Sequence, residues 1–219
     1  MAMDRNYEKL KRGADFVLSA AGLLLFLPVM AGAAVACGRS GQGILCRQER
    51  IGKDGRPFQL YKFRTLRRDA PLLPREAFPD MARYFIKGGS FLRSSGIDEL
   101  PQLWNVLWGE MSLVGPRPLL AEEGGVHRMR QRAGVYTLRP GITGLAQLCG
   151  DPPARVKGSI DRIYRDGCSL ALDAAILWST LLLLWKRQRE QENVSVPRAA
   201  KILLNIWKSP CNLSQNVVS

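Results

Sequence analysis

The stretch Arg93-Ser94-Ser95-Gly96-Ile97-Asp98-Glu99-Leu100-Pro101-Gln102-Leu103-Trp104-Asn105-Val106-Leu107-Trp108, continuing to Gly115-Pro116-Arg117-Pro118, decides how the rest of the chain is read. Leu100, Leu103, Trp104, Leu107 and Met111 recur at helical spacing and form one apolar face. Asp98 stands where an N-cap belongs, and Pro101 falls in the first turn, where a missing N–H costs little. Gly109 is a natural stop. Two adjacent carboxylates thus sit at a helix start, with Arg93 and Arg117 on either side. Such an end offers free N–H groups and partial positive charge, which favour a carboxylate and nearby phosphate oxygens. Neighbouring helical positions diverge, so Asp98 and Glu99 take separate jobs rather than share a proton. A capping Asp followed by a first-turn Glu, both structural, fits the same pattern.

Outward from this helix, the charge balance narrows the function classes. The 219 residues hold 32 Lys and Arg against 19 Asp and Glu, a net charge of +13. That excess points to anionic partners: nucleic acid, an anionic membrane surface or phosphorylated substrates. The cysteines at 37, 46, 149, 168 and 211 form no CxxC, which argues against a zinc site or a disulfide framework. The single histidine, His127, lies among Arg128, Arg130 and Arg132 and reads as part of a solvated helix face. There is no GxxxxGK[ST], no GxGxxG and no HExxH, which removes the P-loop, dinucleotide and zincin readings.

Phe16 to Gly38 carries no charge. A signal peptide, a transmembrane helix and a helix that enters the membrane and returns all compete for this run. Pro28 in its middle removes a backbone hydrogen bond and kinks the helix. Both flanks are basic: Lys9, Lys11 and Arg12 before; Arg39, Arg47, Arg50 and Lys53 after. The positive-inside rule keeps both on one side, which favours re-entry with the break at Leu27-Pro28. Ser169 to Trp185 is a second apolar run, interrupted by Asp173. Its length and its Trp178 and Trp185 fit an interfacial helix, with a buried core helix as the alternative. The basic residues cluster beside these apolar runs, so a membrane role ranks above nucleic-acid binding.

Between the two runs the pattern changes. Ile44–Ile51 and Phe58–Phe63 are rich in strand formers and are joined by a Gly- and Pro-containing loop, which predicts a hairpin. Lys62 and Arg64 share a strand face and can hold a phosphate, or form a solvated edge. Pro71 to Asp80 reads as a loop, Met81 to Phe91 as a short helix with a turn at Gly88-Gly89, and Leu119 to Ala133 as a helix. The fold class is mainly α with a small β-hairpin (α+β). The expected organisation is a basic and membrane segment at 1–39, a catalytic domain at 40–190 and a tail at 191–219. That tail carries an amphipathic pattern around Ile202, Leu203, Ile206 and Trp207.

Five motifs occur in order: Lys62-Phe63-Arg64-Thr65, Phe91-Leu92-Arg93, Asp98-Glu99-Leu100-Pro101-Gln102-Leu103, Met111-Ser112-Leu113-Val114-Gly115-Pro116-Arg117-Pro118 and Pro140-Gly141-Ile142-Thr143-Gly144. Together with Asn105-Val106-Leu107, this set resembles the bacterial sugar transferase family, the monotopic polyprenyl-phosphate phosphoglycosyl transferases, over roughly residues 8 to 190. The chain departs from the family pattern at Gly150-Asp151, where Gly-Arg is common, and at Ile86 and Gly96-Ile97.

The resemblance implies transfer of a sugar phosphate from a nucleotide sugar donor, usually a UDP-sugar, to a polyprenyl phosphate acceptor, with release of UMP. It implies Asp98 as a nucleophile that also sits at Mg²⁺ and forms an acyl-phosphate intermediate, with Glu99 as the second acid. Arg93, Arg117, Lys62 and Arg64 become phosphate-binding candidates, and Thr143 and Gln147 nucleotide-binding ones. The implied setting is the cytoplasmic face of a bacterial inner membrane, with membrane lipid as a further partner and no nucleic acid. A homo-oligomer is compatible with the same reading. A membrane-anchored scaffold that keeps the fold without turnover is the competing function class.

Overall fold

A computed structural model describes residues 5–71, 78, 80–121, 123–150 and 154–191. Asp151 and the predicted amphipathic tail at 202–207 lie outside the described residues. The chain opens with α1 (Arg5–Leu25) and α2 (Leu27–Arg39), bent by 63° against each other. The break falls at Phe26, immediately before the predicted Leu27-Pro28, and Pro28 lies in the first turn of α2. The displacement has a simple cause: the proline ring has no N–H to give the carbonyl four residues back and clashes with it, so the upstream turn yields. No single described helix is long and apolar enough to cross a membrane; the bent pair passes that test together.

Strands β1 (Leu45–Ile51) and β2 (Pro57–Phe63) form the predicted antiparallel hairpin, with Cys46 opposite Lys62 and Arg50 opposite Phe58. A 3-10 turn (Met81–Tyr84) and α3 (Gly89–Ser94) replace the single short helix expected there. A second 3-10 turn (Ile97–Glu99) leads into α4 (Gln102–Trp108), which ends at Gly109 in the left-handed region, φ 88°. Strand β3 (Ser112–Val114) runs parallel to β4 (Gly141–Thr143), with α5 (Gly124–Arg132) between them in sequence. Helix α5 begins five residues later than the predicted start at Leu119, which instead bridges to Ile51. The short α6 (Leu145–Leu148), α7 (Ala154–Gly167) and α8 (Leu170–Gln191) complete the described chain. The architecture is α+β, mostly helical with two small sheets.

Residues 5–39 and the domain that follows share one packing unit. Arg12 reaches from α1 to the C-terminal end of α4, donating from Nη1 to the Val106 carbonyl at 2.6 Å and from Nη2 to the Leu107 carbonyl at 2.7 Å. A cation there satisfies orphan carbonyls and meets the negative end of the helix dipole. Asp15, buried, accepts the Leu113 N–H at 3.0 Å. Ala33 and Cys37 of α2 pack with Phe63, Ile86 and Leu92. Lys11 and Arg12 are therefore structural partners as well as a basic flank.

Asp173 explains why an acid interrupts the second apolar run. It is buried, and it accepts Tyr7 Oη at 3.0 Å, Lys11 Nζ at 2.7 Å and Tyr164 Oη at 2.6 Å. One carboxylate thus ties α8 to α1 and α7. Ile176, one turn further on, is fully buried against Val114, Leu138 and Tyr164, while Trp178 and Leu181 are exposed. Exposed apolar side chains also gather around the α1–α2 bend at Leu24, Leu25, Phe26 and Leu27. Cys37, Cys46 and Cys168 are free thiols.

Candidate active site

Asn105 sets the central helix on the hairpin. Fully buried, it donates from Nδ2 to the Gln59 carbonyl and to Glu110 Oε2, both at 2.7 Å, and accepts the Tyr61 N–H at 3.1 Å. These bonds satisfy the amide and dock α4 beside β2, the strand that carries Lys62. Arg93 lies in the last turn of α3. Gly96, at φ 74°, turns the chain from α3 into the Ile97–Glu99 turn, a conformation that favours glycine.

Asp98 sits in that 3-10 turn, four residues before α4 begins, so it is not the N-cap that its position suggests; Pro101 takes that place. The helix end therefore does not supply the charge compensation foreseen for it. Asp98 is 5% exposed. Burial first, and the neighbouring Glu99 second, push its carboxyl up from 3.8 to about 7, against the opposing pull of Lys62 and Arg93. Burial likewise lowers the Lys62 ammonium, with repulsion from Arg50 and Arg93 adding to it. Both members of the pair are thus desolvated more than they are compensated by each other.

Lys62, Arg64, Arg93 and Arg117 all line one cleft of about 440 Å³. Nine of its lining residues are Lys or Arg and two are Glu. Arg64 donates to the Leu45 carbonyl at 3.4 Å, and its Nε is buried without a partner among the described residues. A cavity of this size and charge suits a polyanionic small molecule rather than an extended polymer. Asp98 is not among the cleft's lining residues, but two that are, Lys62 and Arg93, are close enough for their charges to act on it.

Arg117 owes its place to the pairing of two distant motifs. Ser112 donates to the Pro140 carbonyl, Gly115 to the Thr143 carbonyl and Gly141 to the Pro116 carbonyl, each at 2.9 Å. A Cβ on Gly141 would stand 2.1 Å from the Gly115 nitrogen, so the two backbones approach as only glycine allows. Arg130 then donates from Nη1 to the Arg117 carbonyl at 2.7 Å and from Nε to Asp161 Oδ2 at 2.8 Å. Both partners of this ion pair are buried.

Thr143 and Gln147 do not line the cleft. Thr143 is buried with its Oγ1 on Thr180 Oγ1 at 2.7 Å, and Gln147 donates to the Ile142 carbonyl at 3.4 Å. The Pro140–Gly144 segment thus serves as scaffolding for the loop that carries Arg117. His127 is half-buried rather than solvated: it bonds to Tyr136 Oη and, through Nε2, to the Leu120 carbonyl at 2.7 Å. Lys157, which no motif in the sequence marks, is 6% exposed and lines the same cleft from α7. The Arg130–Asp161 pair likewise carries no motif. The i, i+4 spacing puts Lys157 and Asp161 on one face of α7, and only the tertiary structure turns that face toward the cleft.

Among the described residues no three His, Cys, Asp or Glu converge as a metal cage. The adjacent Asp98 and Glu99 fit a different donor set. Mg²⁺ is commonly held by one or two carboxylates together with substrate phosphates and water.

Residues 6–187 match the family model for bacterial sugar transferases. A UDP-glucose:undecaprenyl-phosphate glucose-1-phosphate transferase of Caulobacter vibrioides is 42% identical over 187 residues, covering 80% of this chain and 64% of that protein. A protein of the same description from Klebsiella pneumoniae is 35% identical over 184 residues, covering 78% of this chain and 39% of that protein. The uncharacterized sugar transferase EpsL of Bacillus subtilis is 38% identical over 172 residues, 77% of this chain and 81% of its own length. Of the Klebsiella protein and of other curated relatives that it matches, the chain spans less than half the length. With the motif order, the cation-lined cleft and the match over most of its length, the chain belongs to the bacterial sugar transferase family.

Proposed function

We propose that this chain transfers a sugar-1-phosphate from a UDP-sugar to undecaprenyl or another polyprenyl phosphate. The observation that carries this reading is the buried Asp98 carboxyl set against Lys62 and Arg93 at a cleft lined by nine cations. The relatives named as UDP-sugar:undecaprenyl-phosphate transferases supply the substrate classes.

In this mechanism a carboxylate oxygen of Asp98 attacks the sugar-bearing phosphorus. The P–O bond to the nucleotide's phosphate breaks, its electron pair leaves with UMP, and an aspartyl phosphosugar forms. The polyprenyl phosphate oxygen then attacks the same phosphorus. The bond to Asp98 breaks, the carboxylate is regenerated, and a polyprenyl diphosphate sugar departs. Lys62, Arg64, Arg93 and Arg117 bind and orient the phosphate oxygens, which offsets the repulsion between a carboxylate and a diphosphate. Glu99 helps hold the site. Asp98 would hold Mg²⁺ together with the substrate phosphates, and that ion would supply neutralisation of charge on the diphosphate.

The 63° bend between α1 and α2, with exposed Leu24, Leu25, Phe26 and Leu27 at its apex, supports a re-entrant anchor in one leaflet. The exposed Trp178 and Leu181 of α8 support an interfacial position. A monotopic seat on the cytoplasmic face of the inner membrane brings a soluble donor and a lipid acceptor to one carboxylate.

The test is UMP release from a panel of UDP-sugars by the full chain in nanodiscs, with Mg²⁺ and undecaprenyl phosphate. Wild type releases UMP from at least one donor and Asp98→Asn from none. Equal release by both proteins removes Asp98 as the nucleophile, and a folded wild type inert to every nucleotide sugar removes the reaction.

A further inference from the structure

We propose that Arg68, held by Gln42 in the turn that leaves α2, captures the phosphate of the lipid acceptor as it enters the cleft; this rests on the reaction and the anchor proposed above. Arg68 lines the cleft. Its backbone N–H donates to Gln42 Oε1 at 3.0 Å, and its Nε donates to the Gln42 carbonyl at 2.9 Å. A Cβ on Gly43 would stand 3.3 Å from Arg68 Nη2, so the guanidinium lies along this turn. The turn follows directly on α2, which ends at Arg39. Arg64 is fixed by the same stretch of chain. Its N–H donates to the Ile44 carbonyl at 2.9 Å, its Nη2 to the Leu45 carbonyl at 3.4 Å, and its own carbonyl accepts Cys37 Sγ at 3.3 Å. The exit of the bent helix pair is thus built onto two of the cleft's arginines.

These contacts orient Arg68 without neutralising it. Both Gln42 oxygens are uncharged acceptors, and a guanidinium held by its Nε keeps its two terminal nitrogens for a bidentate phosphate contact. The neighbouring Arg67 differs: its Nε donates to Asp69 Oδ1 at 3.0 Å and its Nη2 to Asp69 Oδ2 at 2.7 Å, an ion pair that offsets its charge. Among the described residues no carboxylate meets Arg68. Arg68 is therefore an aligned, solvent-exposed cation on the cleft wall.

The surroundings of the turn point to a lipid rather than a soluble ligand. Ile44 is 45% exposed and Leu45 is 42% exposed, and Arg39 before them is exposed as well. Apolar side chains set among cations suit a surface that meets a bilayer, with the apolar groups below the headgroups and the cations at phosphate level. A nucleotide sugar approaches from solvent. A lipid phosphate stays at headgroup depth and meets the cleft where the anchor leaves the membrane, beside Gln42. Arg68 is the cleft cation that Gln42 holds there, and Arg64 and Lys62 at the end of β2 line the same cleft and carry the phosphate onward.

The experiment uses the full chain in phosphatidylcholine nanodiscs and compares wild type, Arg68→Gln, Arg68→Lys and Gln42→Glu. It reads binding of a fluorescent polyprenyl phosphate against the matching polyprenol, and separate KM values for undecaprenyl phosphate and for the UDP-sugar. Wild type prefers the phosphate to the alcohol by about tenfold or more, as charge-assisted contacts provide. Arg68→Gln lowers that preference by about fivefold and raises the acceptor KM by a similar factor, with the donor KM unchanged; exposure keeps the effect moderate. Arg68→Lys keeps part of the preference. Gln42→Glu keeps an acceptor for the Arg68 N–H but sets a carboxylate beside the guanidinium, and it behaves like Arg68→Gln. Three results overturn the proposal: an undiminished preference in Arg68→Gln, a rise in the donor KM, or an acceptor KM unchanged while binding to phosphatidylglycerol vesicles falls, which assigns Arg68 to bulk headgroups. The binding assay needs no turnover, so the two readings separate. If wild type is inert to every nucleotide sugar while phosphate preference still depends on Arg68, the reaction falls and the lipid-phosphate site stands. If turnover depends on Asp98 while phosphate preference and acceptor KM ignore Arg68, the site falls and the reaction stands.

Discussion

Arg130 holds Arg117 by its main chain, donating from Nη1 to the Arg117 carbonyl at 2.7 Å. Asp161 neutralises the buried Arg130 guanidinium, so Asp161→Ala leaves an uncompensated charge in the interior. Breaking such a pair costs about 3–5 kcal/mol. For a chain of this size that lowers the melting temperature by on the order of 10 °C. Asp161→Asn, which keeps an acceptor, loses less. Thermal melts of the purified variants check both; a wild-type melting temperature in Asp161→Ala would remove the pair from the stability account.

Asp98 makes stability depend on pH in the reverse of the usual carboxylate direction. Its folded pKa is raised from 3.8 to about 7, so between those values the folded state binds the extra proton. Stability contributed by the neutral form is present below about 4 and is lost as pH rises through about 7. Asp98→Asn, neutral throughout, is therefore more stable than wild type at about pH 8, and the gap narrows as pH falls and closes only below about pH 4, so about pH 8 and about pH 3 are compared. Metal-free chemical unfolding at the two pH values measures the gap. An equal gap at both would show that Asp98 is ionised without penalty.

Asp173 holds three donors from two helices, and Lys11 depends on it for charge compensation. Asp173→Asn costs about 3 kcal/mol by leaving the part-buried ammonium unpaired. Adding Lys11→Met to that variant recovers part of the loss. A double-mutant cycle by unfolding gives the coupling directly, and additivity of the two substitutions would contradict it.

Pro28 causes the bend. Pro28→Ala restores an N–H for the carbonyl of Leu24 and lets α1 and α2 run toward one continuous helix. Under the re-entrant reading, both ends of the wild-type pair face the cytoplasm. Pro28→Ala then moves an N-terminal epitope tag across the membrane. Protease access to that tag in inverted vesicles reports the change: cleaved in wild type, protected in the variant. Protection of the tag in wild type would show a simple span.

Much of this architecture was legible from local pattern. The helix through Leu103, Trp104 and Leu107, its stop at Gly109, the hairpin and the Pro28 break each depend on residues within a turn or two of one another. Steric and hydrogen-bonding rules act at that range, so the amino-acid order alone determined those elements. The motif order likewise singled out Asp98, Arg93, Lys62, Arg64 and Arg117, and tertiary structure placed the four cations in one cleft beside that acid.

Other features were decided only by segments far apart in the chain. A one-turn shift of the helix start took Asp98 away from the dipole and left its charge to burial and to Lys62 and Arg93. The turn-rich Pro140–Gly144 segment gained its supporting role for Arg117 only through its pairing with Ser112–Pro116. Asp173 read as a flaw in an apolar run until Tyr7, Lys11 and Tyr164 reached it, and Lys157 carried no motif at all. Burial and charge compensation are sums over neighbours in space, and those neighbours are set by the packing of helices that sequence separates by up to 166 positions.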